Sequence, residues 1–256
     1  MKFSANLGFL WTNCPLPEAI FAAKAAGFDA VECHWPYDVP ADEVARALND
    51  TGLPMLGLNT IRGEPGENGL SAIPGRSGQA RSAIDQALEY ASKVGAKNVH
   101  VMAGYSNGQD AQETFCENLE YAAKMALPNG INILIEPLNQ FDAPGYFLRN
   151  TDQAISIIKQ IAAPNLKLMF DCYHVQRTEG DLTHRLALLM PFIGHIQFAS
   201  VPDRGPPDQG EVNYGHVFSE IIALGYEMPL GAEYKPVGAV EDSLDWMTEY
   251  SGNRKE

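Results

Sequence analysis

Short apolar runs alternate along the chain with longer segments in which apolar residues recur every three or four positions. The first pattern is typical of buried strands and the second of amphipathic helices. Strand-like runs occupy residues 3–7, 30–33, 55–59, 98–103, 131–136, 166–171, 195–199 and 230–233. Helical spacing is found at 17–26, 41–48, 79–94, 111–126, 151–161, 182–190, 214–224 and 241–250. Strands and helices are therefore predicted to alternate from one end of the chain to the other.

Eight strand-then-helix units predict a parallel sheet covered by helices, which closes into a single (β/α)8 TIM barrel. An open doubly wound sheet is the alternative. It fits less well, because the first strand is followed by Gly8-Phe-Leu-Trp11 rather than by a GxGxxG turn. No linker divides the chain, so we predict one domain over residues 1–256, with disorder expected only in the tail 251–256.

Composition narrows the classes of partner. The formal net charge of −14 argues against nucleic acid and anionic membranes as partners, although local cations can still attract an anionic substrate. The four cysteines have no metal-site spacing and are expected to be reduced. Neither a signal peptide nor a membrane span is evident, so we expect a cytoplasmic protein. The oligomeric state stays open, and a homo-oligomer is compatible with the sequence.

One oxygen-bearing side chain lies near the C-terminal end of each of the last four predicted strands: Glu136, Asp171, Gln197 and Glu233. Burying such groups is costly unless they are paired or bound to a metal, and the C-terminal strand ends of a barrel share one face. Loop capping or a salt bridge would explain any one of them, whereas all four together favour a shared site. Three carboxylates and an amide suit Mg²⁺ or Mn²⁺.

Two of these groups, Glu136 and Glu233, are predicted on strands five and eight, where they can face opposite sides of a small substrate. That arrangement allows a proton to be taken from a carbon beside a carbonyl and returned to the neighbouring carbon. A metal that polarises the carbonyl would make the proton more acidic. The pattern therefore predicts an aldose–ketose type isomerisation or an epimerisation.

Four segments carry a resemblance to a known family. They read IEPLNQFDAPGYFL (135–148), FDCYHVQRTEGDLT (170–183), GHIQFASVPDRGPPDQGEVNY (194–214) and GAEYKP (231–236). Together they resemble the hydroxypyruvate isomerase family of the xylose isomerase-like TIM barrels. FSANLGFL near the start, WPY at 35–37 and GLSAIPGR at 69–76 extend the similarity over nearly the whole chain.

The resemblance implies that Glu136 and Glu233 are the catalytic acid/base pair. It also implies that both, with Asp171 and Gln197, bind a divalent metal. Gln197 stands where many sugar epimerases of the superfamily have His, which favours the hydroxypyruvate isomerase branch.

Four further residues are candidates for substrate binding: His174, Arg204, Glu211 and Lys235. His174 matches a substrate-binding histidine of the related epimerases. Arg204 can pair with a substrate carboxylate, or it can be a solvated loop cation. Lys235 lies two residues beyond Glu233, which predicts the same strand face, but a salt bridge with a neighbouring loop is equally plausible.

The chain also departs from the family pattern. Relatives often carry Asp or Gly in place of Ser200, an acidic residue in place of Pro206, and Phe with another large apolar residue in place of His34 and Trp35. Substrate preference is therefore less securely predicted than reaction class. His100 and His195, on predicted strands four and seven, are expected to be bonded core residues rather than ligands.

The leading interpretation is an isomerase that interconverts hydroxypyruvate and tartronate semialdehyde through an enediolate. The closest alternatives keep this chemistry on 2-oxo-tetronate or on a ketose, as a 3-epimerase. Two alternatives come from other classes: DNA repair of the endonuclease IV kind, which needs three zinc ions and a basic groove, and non-catalytic binding of a sugar acid.

Overall fold

The computed structural model describes residues 1–250; the predicted disorder at 251–256 lies outside the described residues. The strands are β1 Phe3–Asn6, β2 Ala30–Glu32, β3 Gly57–Asn59, β4 Asn98–His100, β5 Asn132–Ile135, β6 Leu166–Asp171, β7 Ile193–Phe198 and β8 Leu230–Ala232. The helices are α1 Leu16–Ala25, α2 Ala41–Thr51, α3 Ser77–Val94, α4 Gln109–Ala126, α5 Thr151–Ile161, α6 Cys172–Thr178, α7 Leu182–Leu189, α8 Tyr214–Ala223 and α9 Asp245–Tyr250.

The strands form one parallel sheet in the order β2-β1-β8-β7-β6-β5-β4-β3. Its two outer strands also meet. Val31 donates its backbone N–H to Pro54 at 3.0 Å and accepts from Leu56 at 2.7 Å, and a bridge joins Val31 to Met55. These bonds close the sheet into a ring, so the predicted (β/α)8 TIM barrel is confirmed.

The helices cover the barrel with their apolar faces. In α2, for example, Val44, Ala47 and Leu48 are buried at helical spacing, and Gly52 ends the helix in the left-handed conformation at a φ of 69°. No helix within residues 1–250 is long and apolar enough to cross a membrane. The four cysteines are free thiols.

One helix was not predicted. The seven residues of α6 directly follow β6, and Asp171 caps them by accepting the Tyr173 backbone N–H at 2.8 Å. The helix is too short to show an apolar period, so the sequence pattern could not identify it. It matters for the site because it places His174 at the mouth of the barrel.

Candidate active site

A cleft with an empty volume of about 850 Å³ opens at the C-terminal ends of the strands. Its wall includes Glu136, directly after β5, and Glu233, directly after β8. His174 of α6 and Arg204 of the loop between β7 and α8 complete this side of the wall. A volume of this size accepts many small metabolites, so it does not choose between a three-carbon acid and a six-carbon ketose.

Glu233 is surrounded by donors. Its Oε1 accepts from Asn6 Nδ2 at 3.0 Å and from His34 Nε2 at 2.8 Å, and its Oε2 accepts from Arg204 Nη2 at 2.6 Å. Burial opposes ionisation, but the Arg204 charge and the His34 hydrogen bond outweigh it and lower the pKa of Glu233 to about 2. Glu233 is therefore ionised at neutral pH.

Glu136 has the opposite environment. It is buried, its Oε1 has no hydrogen-bond partner, and the nearest histidine atoms are His100 Nδ1 at 3.6 Å and His174 Nε2 at 3.9 Å. Burial, and then the negative charges of Glu233 and Asp171, raise the pKa of Glu136 well above its ordinary value of 4.5. Without a cation, Glu136 therefore gives up its proton less readily than an ordinary glutamic acid does.

Asp171 lies between these extremes. One carboxylate oxygen caps α6, and Oδ2 is 3.5 Å from Arg204 Nη2 and 3.6 Å from His174 Nε2. Burial raises the pKa of Asp171 to about 7, against the opposing pull of Arg204. A small change in local charge is therefore enough to change its protonation state at neutral pH.

Arg204 is not the solvated loop cation that its sequence context allowed. Its guanidinium lies between two aromatic rings, 4.7 Å from the Phe9 centroid and 4.9 Å from the Tyr173 centroid, and only 12% of the side chain is exposed. It bonds to Glu233 and approaches Asp171. Despite burial, these carboxylates raise the pKa of Arg204, so the guanidinium remains charged.

The hydrogen bonds of His174 fix its tautomer. Its Nδ1 accepts the backbone N–H of Asn139 at 3.0 Å. Burial, and then the Arg204 charge, lower the pKa of His174 to about 3, so the ring is neutral and its single proton must be on Nε2. Nε2 faces Glu136 and Asp171. His174 is therefore a hydrogen-bond donor to the cleft, and this tautomer leaves no ring nitrogen free to bind a metal there.

Gln197 is level with Asp171 in the sheet but lies deeper than Glu233. The β7–β8 register pairs it with Gly231, two residues before Glu233. Its Nε2 donates to Glu32 Oε1 at 2.8 Å, and its Oε1 is buried without a partner. A Cβ at Gly231 would lie 2.7 Å from Glu32 Oε1 and 2.8 Å from Gln197 Cγ, so glycine makes room for this pair.

Two predicted substrate-binding residues do not reach the cleft. Glu211 is exposed, and its side chain accepts from Gln176 at 3.3 Å. Lys235 is also exposed, because β8 ends at Ala232 and strand alternation no longer applies two residues beyond Glu233. Lys235 contributes only its backbone N–H, which donates to the Arg204 carbonyl at 2.7 Å.

The sequence reasoning missed several site residues on the first two strands. Glu32 accepts from Asn6, Gln197 and also His195, whose Nε2 lies 2.6 Å from Glu32 Oε2, so His195 is a bonded core residue as expected. The same expectation was wrong for His100, because neither of its buried ring nitrogens has a hydrogen-bond partner. His34 contacts Glu233 directly, above Gly8, where a Cβ would come within 2.2 Å of the His34 ring. Glu32 and Asn6 end their strands as Asp171 does, and that signal was available in the sequence.

The donor set fits a hard divalent cation. Glu136, Asp171 and His174 offer atoms within 4.8 Å of one another, and Glu136 Oε1 and Gln197 Oε1 are buried oxygens without partners. Because His174 Nε2 carries a proton, the ligands available here are oxygens. Oxygen ligands are the ones that Mg²⁺ and Mn²⁺ prefer.

Comparison with known proteins agrees with this architecture. The sequence model of the xylose isomerase-like TIM barrel family matches residues 20–250. The chain belongs to this family. Within it, the 2-oxo-tetronate isomerase of Cupriavidus necator is 41% identical, over 98% of this chain and 99% of that protein. The hydroxypyruvate isomerase of Escherichia coli strain K12 is 38% identical over the same shares.

A solved structure is also similar to this chain over nearly the whole length of both. It comes from Brucella melitensis and is described as an AP endonuclease, family 2. It is 39% identical to this chain, covers 97% of it and 98% of its own length, and superposes with a TM-score of 0.94.

Proposed function

We propose that this protein is an isomerase that moves a proton between adjacent carbons of a small 2-oxo acid, through an enediolate. One observation carries the proposal: two buried carboxyl groups share a cleft, with their pKa values displaced in opposite directions. Such a pair supplies a proton acceptor and a proton donor at the same pH. Relatives named hydroxypyruvate isomerase and 2-oxo-tetronate isomerase support the same class of reaction.

In the proposed reaction, Glu233 is the ionised group and takes a proton from the carbon next to the carbonyl. Glu136 gives a proton to the former carbonyl carbon, and the proton of the neighbouring hydroxyl moves to the former carbonyl oxygen, so that carbonyl and hydroxyl exchange places. In the reverse direction the two exchange roles. His174 donates its Nε2–H to a substrate oxygen, where negative charge develops as the enediolate forms. Arg204 lowers the pKa of Glu233 and keeps it ionised until the substrate is bound.

Glu136, Asp171, Glu233 and the Gln197 side-chain oxygen would hold Mg²⁺ or Mn²⁺. When bound, such a cation polarises the carbonyl and stabilises the charge of the enediolate. The unpaired oxygens of Glu136 and Gln197 support this assignment, because buried acceptors without donors are costly.

Proton NMR in D₂O tests the proposal directly. With Mg²⁺ or Mn²⁺ supplied, wild-type protein should incorporate deuterium into hydroxypyruvate or 2-oxo-tetronate. Glu136→Gln and Glu233→Gln should each lower the rate by about 10²- to 10⁴-fold, the usual contribution of a general acid or base. Glu211→Gln is the matched control, because Glu211 is an exposed carboxylate outside the cleft, and it should retain the wild-type rate.

Comparing kcat/KM for hydroxypyruvate, 2-oxo-tetronate and a ketose identifies the substrate. Absence of deuterium incorporation into every one of them, with metal present, would refute the isomerase assignment and favour non-catalytic binding.

The name of the Brucella relative identifies DNA repair as the rival activity. The described residues offer it little support, since the structure groups potential metal-binding side chains only as Glu136, Asp171 and His174 within residues 1–250. Tight, salt-sensitive binding to an abasic duplex would favour the rival.

A further inference from the structure

Arg62 is a cation on the opposite side of the cleft from Arg204. It lies near the start of the loop that joins β3 to α3, and its guanidinium lies 4.7 Å from the centroid of the Trp35 ring. The indole is itself fixed, because Trp35 Nε1 donates to the Thr60 carbonyl at 3.1 Å. Arg62 and Trp35 line the same cleft as Glu136 and Glu233. The Trp35 ring therefore holds the positive charge of Arg62 in the same cleft as the proposed catalytic carboxyl groups.

Carboxylates already occupy the other cleft arginine. Arg204 bonds to Glu233 at 2.6 Å and lies 3.5 Å from Asp171. Arg62, in contrast, forms no ion pair or side-chain hydrogen bond within the part of the chain that the structure describes. Its own loop carries two acidic residues: Glu67 pairs with Arg76, and Glu64 forms no ion pair with Arg62.

Asp142, also in the cleft wall, accepts from Tyr173 at 2.7 Å and lies 3.5 Å from Arg177. Neither Glu67 nor Asp142 neutralises Arg62. Stacking on the indole uses only the face of the guanidinium, so its in-plane N–H groups remain available to an incoming anion.

We propose that Arg62, supported by Trp35, binds the carboxylate of the substrate and makes the cleft selective for sugar acids over neutral ketoses. The inference rests on the proposed function and assigns the residue that recognises the acid group of its substrate. A planar guanidinium and a carboxylate form two parallel hydrogen bonds, which fix the orientation of the acid as well as its charge. The carbonyl and hydroxyl carbons of the acid then extend towards Glu136 and Glu233.

The test uses both turnover and binding. D-Glycerate has the carboxylate but no carbonyl, so it binds without reacting, and its affinity is measured by isothermal titration calorimetry. Arg62→Met removes the charge, and Trp35→Leu removes the platform beneath it. Arg46→Met is the matched control, since Arg46 is an exposed arginine on α2 outside the cleft.

Arg62→Met should weaken glycerate binding and raise KM for the acid substrate by about 10- to 100-fold, the range for a lost hydrogen-bonded charge. Its kcat should change less than threefold, because Arg62 does not move the proton. Trp35→Leu should weaken glycerate binding in the same direction by a smaller factor. Arg46→Met should change neither quantity.

The outcomes separate the two claims. Unchanged KM and glycerate affinity in Arg62→Met, with normal wild-type turnover, would overturn the inference and leave the isomerase intact. Arg62-dependent glycerate binding without turnover of any substrate would support the inference and refute the isomerase. No glycerate binding by the wild-type protein, or an equal loss in Arg46→Met, would also overturn the inference.

Discussion

Replacing Asp171 by Asn should stabilise the metal-free protein at neutral pH but not in acid. In the folded protein the pKa of Asp171 is raised from 3.8 to about 7, mainly by burial. The folded state therefore keeps this proton over a pH range in which the unfolded chain has already lost it. The resulting stability is fully present below pH 3.8 and is lost as pH rises to about 7.

The size of this stability change follows from the pKa shift of Asp171. The shift is about 3 pH units, and each unit corresponds to ~1.36 kcal/mol, so the folded state has lost ~4 kcal/mol of stability at pH 7 relative to acid. Asn cannot ionise, yet it keeps an oxygen that accepts the Tyr173 N–H. The weaker contact with Arg204 is lost, so we expect a net gain of about 2 to 4 kcal/mol above pH 7.

Urea unfolding with a chelator present, at about pH 4.5 and about pH 7.5, measures this gain. Asp50→Asn, an exposed change at the end of α2, is the control and should give no pH-dependent difference. Added Mg²⁺ or Mn²⁺ should stabilise wild type more than Asp171→Asn at the higher pH, because the cation binds the ionised carboxylate. An Asp171→Asn variant that is less stable than wild type at both pH values would refute the reasoning.

Three further changes test neighbouring contacts. His34→Phe removes the 2.8 Å bond to Glu233 and should lower kcat by about tenfold with little change in the melting temperature, measured by NMR turnover and thermal unfolding. Glu32→Met removes the acceptor oxygens that direct the Gln197 amide, and should weaken Mn²⁺ binding by about 10- to 100-fold in a calorimetric titration. Burial lowers the pKa of His100 from 6.5 to about 3. As pH falls below 6.5, His100 therefore takes up a proton in the unfolded chain but not in the folded protein, and the free energy of unfolding decreases. His100→Phe should reduce the decline in unfolding free energy between about pH 6.5 and about pH 4.5 by ~2 to 3 kcal/mol, measured by urea unfolding.

The alternation of apolar runs and amphipathic segments was sufficient to predict the barrel, because each strand is buried on both sides and each helix on one. The positions of the strand ends were predicted less accurately than the strands themselves. Residues 131–136 were predicted as a strand, but β5 ends at Ile135, since Glu136 turns out of the ladder into the cleft. Periodicity measures burial, and burial does not stop where the hydrogen-bond ladder stops.

The same rule that located Glu136 and Asp171 could have located more of the site. A polar residue lies at or next to the end of every strand, and the first four are Asn6, Glu32, Asn59 and His100. Three features of the site could not be predicted without the structure. Arg204 is 29 residues from Glu233 in sequence, and its contact depends on the path of an irregular loop. The depth of Gln197 depends on the β7–β8 register, and His34 reaches Glu233 only because Gly8 leaves space above it.

An acidic chain and an anionic substrate are compatible here because burial changes the charge of the cleft. The formal charge of −14 belongs largely to exposed side chains, whose fields water and salt screen. Inside the cleft, burial raises the pKa of Glu136, Arg204 offsets Glu233, and Arg62 adds a cation that no described carboxylate neutralises. The metal-free cleft is thus less negative than its carboxyl groups alone imply, and a divalent cation at the oxygen ligands would make it more positive. The proposed selectivity for a carboxylate therefore depends on the placement of Arg62 and not on net charge.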